Sequence, residues 1–201
     1  MKCWQQGEMK KIELEDIIMP NWCFNTVTFS GPEEDVRKMR EAVRVDGKPL
    51  GSIDFNKIVP MPESLDIESS TLTSRSLEVY RQFIAARDAG EDTSEFQEMW
   101  DSGEASLSLG ERAYDNVKKY GAPTWYEWRN ANWGSKWNAS QYGGMYDEPD
   151  AFIFDTPWSF PLAAMVALSN MFPSISFSAE WRAEGDTETW AIDIQHGEVR
   201  E

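Results

Sequence analysis

From Trp22 the chain reads Trp-Cys-Phe-Asn-Thr-Val-Thr-Phe, a β-branched and aromatic run that ends at Ser30-Gly31-Pro32 and predicts a first strand. Pro32-Glu33-Glu34-Asp35 then puts proline and carboxylates in the first turn of a helix, with Ser30 or Gly31 as its cap. Val36, Met39 and Val43 fall at helical spacing and give that helix one buried face. Asp46-Gly47-Lys48-Pro49 stops it. Between Ser52 and Val59, the residues Ile53, Phe55 and Val59 share one parity, which predicts a second strand ahead of Pro60.

The middle of the chain changes period. Leu77, Tyr80, Phe83 and Ile84 recur at helical spacing within Ser76–Ala89, and Glu95–Trp100 and Leu109–Tyr120 read as further short helices. Acidic residues outnumber basic ones by more than twofold from Met61 to Tyr120, so this segment reads as a solvated helical cap. β-rich sequence then returns. Lys136–Gln141 and Ala151–Phe154 are predicted strands, and Phe160–Met171 is a helix apolar nearly all round. Ser174–Arg182 alternates Ile175, Phe177, Ala179 and Trp181; Trp190, Ile192 and Ile194 repeat the alternation after a Glu184-Gly185-Asp186 turn, completing a hairpin.

Strand, helix, strand at the start and strand, helix, strand, strand at the end predict an α+β fold: a ferredoxin-like split βαβ sandwich, with helices on one face of an antiparallel sheet. The expected organisation is a leader over residues 1–18, outside the fold, and one domain over 19–201 with a helical insertion at about 63–133. The leader lacks the apolar stretch of a secretory signal, and no run approaches the ~20 apolar residues needed to span a bilayer. The expected location is the cytoplasm, with no membrane partner.

Charge narrows the partners. A formal net charge of −16 repels phosphate backbones and anionic lipids, so direct nucleic-acid binding is disfavoured. Such a surface serves solubility, or it imitates nucleic acid and occupies a basic groove on another protein. Cys3 and Cys23 read as free thiols, and one histidine with two cysteines does not supply the ligands of a closed zinc site; no cofactor is expected.

The most unusual stretch is Tyr120 to Asn138, with four tryptophans, Trp125, Trp128, Trp133 and Trp137, in thirteen positions. Thr124 can cap a short helix in which Trp125, Trp128 and Asn132 share a face, ended near Gly134. One reading is architectural, with the rings binding the helical insert to the sheet. The other is a partly exposed aromatic platform, with Lys136, Asn132 and Asn138 as its polar groups, able to stack on a base, a sugar or a partner's side chain. A second candidate is Phe154-Asp155-Thr156-Pro157-Trp158, where a strand delivers Asp155 to a turn beside Trp158.

Catalytic arrangements are weak. Cys23 and His196 could supply nucleophile and base, but nothing in the sequence brings them together. Asp147, Glu148 and Asp150 lack the spacing of a calcium loop, and Glu180 and Glu184 flank Arg182, which suits a surface ion pair. Neither a phosphate-binding glycine loop nor a nucleophile elbow occurs.

Several segments together carry a family resemblance: Met19-Pro20-Asn21-Trp22-Cys23-Phe24-Asn25, Lys57-Ile58-Val59-Pro60-Met61-Pro62-Glu63, Trp133-Gly134-Ser135-Lys136-Trp137-Asn138 and Phe154-Asp155-Thr156-Pro157-Trp158. The chain from Met19 resembles the YubB-like, or Api-like, proteins of plasmids and phages. That resemblance implies a ferredoxin-like domain and a mobile-element origin, and it carries no catalytic residues. Ser135 and Phe160 depart from the family's usual threonine and proline. The function expected is a non-enzymatic binding protein that engages a host or mobile-element protein through its acidic surface and aromatic cluster, and in its sharper form inhibits a host nucleic-acid-binding defence protein. The competing expectation is a small ligand-binding protein or enzyme with a pocket between insert and sheet, built on Asp155, Lys136 and Asn138.

Overall fold

The computed structural model describes residues 21–140 and 147–200. Five strands form one antiparallel sheet: β1 (Trp22–Ser30), β2 (Ala151–Pro157), β3 (Ser176–Ala183), β4 (Trp190–Gln195) and β5 (Glu198–Arg200), in the order β2-β1-β3-β4-β5. β1 lies inside the sheet, with Val27 opposite both Phe152 and Ala179 and Phe24 opposite both Asp155 and Arg182. Its odd-numbered residues Cys23, Asn25, Val27 and Phe29 are buried, whereas Phe24 and Thr28 are exposed. One face of the sheet is therefore core and the other is open. On the open face, Thr28, Ser30, Asp150, Ser178, Asp193 and Arg200 line a concavity of about 500 Å³.

Asn25 is the one polar residue of β1 that points into the core, and its amide explains why it is tolerated there. Nδ2 donates to Cys23 O (2.9 Å), Phe154 O (3.1 Å) and Thr156 Oγ1 (2.9 Å), fastening β1 to β2.

The helices on the core face are α1 (Glu33–Val43), α2 (Phe55–Ile58) and α7 (Leu162–Met171). α1 begins one residue later than a cap at Gly31 implies and two later than one at Ser30, because Pro32 itself takes the cap position without a side-chain bond. α2 corrects the predicted second strand. Asp54 Oδ1 accepts from Asn56 N (2.9 Å), and Asn138 Oδ1 accepts from Phe55 N (2.8 Å). These two caps hold a helical turn where alternation suggested a strand, and the turn buries Ile58 with Ile53 and Phe55 in place of the Val59 that alternation selects. The strand predicted from Lys136 reduces to one bridge, in which Ser140 N donates to Asp155 O (2.9 Å) and Asp155 N to Ser140 O (2.7 Å); Gln141 lies outside the described residues.

The middle segment is helical, as its period predicts: a 3₁₀ turn (Glu63–Leu65), then α3 (Thr71–Ala89), α4 (Ser94–Asp101), α5 (Leu107–Tyr120) and α6 (Trp125–Asn132). α3 starts five residues before the predicted Ser76, because Ser70 Oγ accepts from Thr73 N (3.2 Å) and caps it. The segment divides in its packing. Leu65, Trp128 and Trp133 join the main core with Phe55, Phe154 and Met165. α3, α4 and α5 instead close small clusters of their own, Ile67, Leu77 and Ala113 in one and Val79, Phe96 and Ala105 in the other.

β5 is an addition to the predicted hairpin. His196 (φ 54°) and Gly197 (φ 74°) both take left-handed backbone, the geometry of a two-residue hairpin turn, so His196 is an exposed turn residue. Among the described residues no helix is long and apolar enough to cross a membrane.

Candidate functional site: an aromatic cage around Lys136

The site begins at α6. Thr124 Oγ1 accepts from Tyr126 N (3.2 Å), which starts the helix as its sequence predicts. Gly134, with φ of 78°, ends the segment against α7, where a Cβ would stand 3.1 Å from Leu162 N. Only glycine fits that approach with left-handed backbone. Inward from this segment, Trp128 and Trp133 are 6% and 2% exposed. Trp133 stands edge-on to Phe55 and Trp128, each at 6.0 Å, and its Nε1 donates to Val59 O (2.9 Å).

Two of the four tryptophans, Trp128 and Trp133, therefore lie in the core, where the architectural reading puts the rings. Two of the polar candidates also serve architecture. Asn132 Nδ2 donates to Trp128 O within α6 (2.9 Å), and Asn138 Nδ2 donates to Asp54 Oδ1 (2.6 Å) while its Oδ1 caps α2. Trp125 is half-buried and forms one wall of a sandwich with Trp133 around Arg129, whose guanidinium carbon lies 5.0 Å from each ring. Burial lowers the Arg129 pKa, against an opposing pull from Asp66.

Outward from the same segment a different constellation forms. The Lys136 ammonium lies 4.9 Å from the Trp137 ring centroid, 5.4 Å from that of Trp158 and 5.7 Å from that of Tyr126. Each such contact is worth about 0.5–1 kcal/mol at an exposed position. Trp22 extends the patch, its ring 6.3 Å from that of Trp137. Trp158 is 49% exposed and Tyr126 37%. Three segments, the start of α6, the turn after it and the turn that follows β2, thus meet at one lysine, and the start of β1 joins them through Trp137.

Trp158 is held in an unfavourable backbone. Its φ is 64°, in the left-handed region where a bulky non-glycine residue is an outlier. The turn around it enforces this: Trp158 N donates to Asn21 O (2.9 Å), Thr156 Oγ1 to Ser159 O (2.6 Å) and Ser159 Oγ to Gly134 O (2.9 Å). Asp155 sits on the sheet beside the patch, opposite Phe24, with its backbone in the bridge to Ser140. Glu184 reaches the patch rim, where its Oε2 accepts from Trp22 N (3.1 Å).

Tyr126 and Trp22 belong to the patch and were not singled out from the sequence. The signal for Tyr126 is its place after Trp125 at the start of a capped helix, where each residue is turned about 100° from the one before and so leaves the Trp125 face. In the sequence Trp22 figures as the first residue of a strand and within the Met19–Asn25 segment that carries the family resemblance.

Other candidate chemistry is dispersed. Cys23 is buried, its Sγ bonded to Asn25 Oδ1 (3.3 Å), and burial pushes its pKa up to about 11, which keeps it a thiol at neutral pH. His196 lies past the far end of the sheet, since Cys23 is six residues along β1 from Phe29, about 20 Å, and Phe29 neighbours Phe177, which pairs with Ile194. Asp147 pairs with Arg40 (2.7 Å), and among the described residues no group of acidic, histidine or cysteine side chains is arranged to hold a metal ion.

Fold and patch together define an α+β protein with a ferredoxin-like domain and an exposed aromatic site. The family model described as the ferredoxin-like domain in Api92-like protein matches residues 132–197, the stretch from the end of α6 through β4. The chain is also similar to the crystal structure of a protein api92 from Yersinia pseudotuberculosis, at 13% identity over 91% of this chain and 98% of that one, with a TM-score of 0.44. No curated protein matches the sequence.

Proposed function

We propose that this protein is a non-enzymatic binding protein that engages another protein, of a host or of the mobile element that the Api-like resemblance implies, through the Trp22–Tyr126–Trp137–Trp158 patch. The observation that carries this reading is Trp158, a half-exposed tryptophan kept in left-handed backbone. Strain of this kind costs about 1–3 kcal/mol and persists where the ring's position is useful. Burial does not account for it, because Trp128 and Trp133 already fill the adjoining core. Exposed aromatic anchors are the residues that most often dominate protein interfaces.

The net charge of −16 adds a preference for a basic partner, and a nucleic-acid-binding protein of the host is the sharpest form of that reading. The test is capture of partners from a host lysate by the wild type and by a Trp137→Ala/Trp158→Ala variant of unchanged circular dichroism. The expected result is a partner lost by the variant and released by raising salt from low to physiological levels. Equal recovery of every partner by both proteins sinks the patch reading, and a salt-insensitive complex sinks the basic-partner form of it.

A further inference from the structure

We infer that the Tyr126–Trp137–Trp158 cage is a cation-binding site for a basic side chain of the partner, a lysine or arginine, and that Lys136 occupies it in the free protein as an internal stand-in. The inference rests on the binding-protein reading above and names the chemistry of the same site. Three rings from three separate segments face one ammonium at 4.9–5.7 Å, which is the arrangement that attracts a cation to the negative faces of aromatic rings. None of the ion pairs among the described residues involves Lys136, so the rings themselves hold it.

Lys136 is also suited to leave. Its ammonium ends a flexible four-carbon stem, and it regains full hydration on swinging out. An incoming lysine or arginine replaces like with like in the cage, and the net charge of −16, with Glu184 at the patch rim, draws a basic partner to it. Trp158 acquires a role under this arrangement: the strained turn presents its ring as the outer wall of the cage.

The experiment uses the full chain and tetramethylammonium chloride, with sodium chloride at matched ionic strength as control, read by the indole N–H resonances of Trp137 and Trp158. In Lys136→Ala those two resonances are expected to shift saturably with tetramethylammonium, at concentrations at least tenfold lower than the wild type requires. In Lys136→Ala/Trp158→Gly the response of Trp137 is expected to vanish. Lys136→Gln, which keeps a polar chain of similar length, guards against collapse of the emptied cage and is expected to respond like Lys136→Ala. Resonances that stay still in both Lys136 variants overturn the cation site, as does an undiminished Trp137 response without Trp158. If the Trp137→Ala/Trp158→Ala variant loses its partner while tetramethylammonium leaves the emptied cage unmoved, the patch binds by stacking: the cation site is overturned and the binding reading stands.

Discussion

The sheet layer and the α3–α5 helices solve the packing problem differently. In the sheet layer one continuous core joins β1, β2, β3, β4, α1, α2 and α7, and large side chains such as Phe55, Phe152, Met165 and Trp133 sit almost fully buried in it. In α3–α5 two small clusters suffice, and backbone proximity substitutes for side-chain volume. Gly110 of α5 lies so close to α3 that a Cβ would stand 2.5 Å from Ser76 O and 2.9 Å from Tyr80 Cβ. A region with a large core tolerates polar exceptions such as Asn25. A region held by small clusters and close helix contact depends on a few small residues.

Trp133→Ala is the largest test of that contrast. Removing a ring from the main core, together with its bond to Val59 O, is expected to cost about 3–5 kcal/mol, read as a fall in the urea midpoint for the whole chain. Gly110→Ala is expected to cost about 1–3 kcal/mol through overpacking, and the cost should be local. Hydrogen exchange should show faster amides in α3 and α5 while those of β1 keep their protection; equal loss in both regions would show that the two are one cooperative unit.

Cys23 sharpens the description of the sheet core through pH. The thiol ionises near 9.0 in a free chain and at about 11 in the fold, because burial penalises the thiolate. The folded form therefore binds the proton more tightly, so its stabilising effect is complete below pH 9.0 and is lost as pH rises toward 11. Cys23→Ala should remove that part of the alkaline decline, measured as the difference between the two stability-versus-pH curves. The smallest expected effect is that of Trp158→Gly. Relief of left-handed strain offsets the lost ring contacts, and stability should hold or rise by up to about 1 kcal/mol, while partner capture falls. A large destabilisation would make Trp158 an architectural residue.

Alternating segments were legible in the sequence because one buried face imposes a period of two. β1 and β3 follow it, β2 is apolar and buried on both parities, in β4 only Ile194 is buried, and α7 shows itself as an apolar helical run. Ser52–Val59 reads as a strand because Ile53, Phe55 and Val59 alternate, whereas one of the two caps that hold α2, Asn138, reaches it from eighty-three positions away. β5 leaves a readable trace in the sequence, the turn-forming His196-Gly197 between Ile194 and Val199.

The site was legible by region and not by residue. Composition marks the tryptophan-rich stretch, yet Trp133 and Trp137, four positions apart, end in core and surface because Gly134 turns the chain between them. The Trp158 backbone has no local signature: Pro157-Trp158-Ser159 reads as an ordinary turn, and its left-handed geometry arises from contacts with Asn21 and Gly134.

β5 bears on how the protein behaves in concentrated solution. A sheet that ended at β4 would expose the backbone beside Asp193, Ile194 and Gln195, a template on which another extended chain could pair. Three residues fold back over that stretch instead, and two of them are Glu198 and Arg200, which are exposed. A strand so short and so charged is a poor surface for growth. With a net charge of −16 adding mutual repulsion, that side of the sheet should resist fibre formation, and deletion of Glu198–Arg200 should shorten the lag of aggregation on agitation.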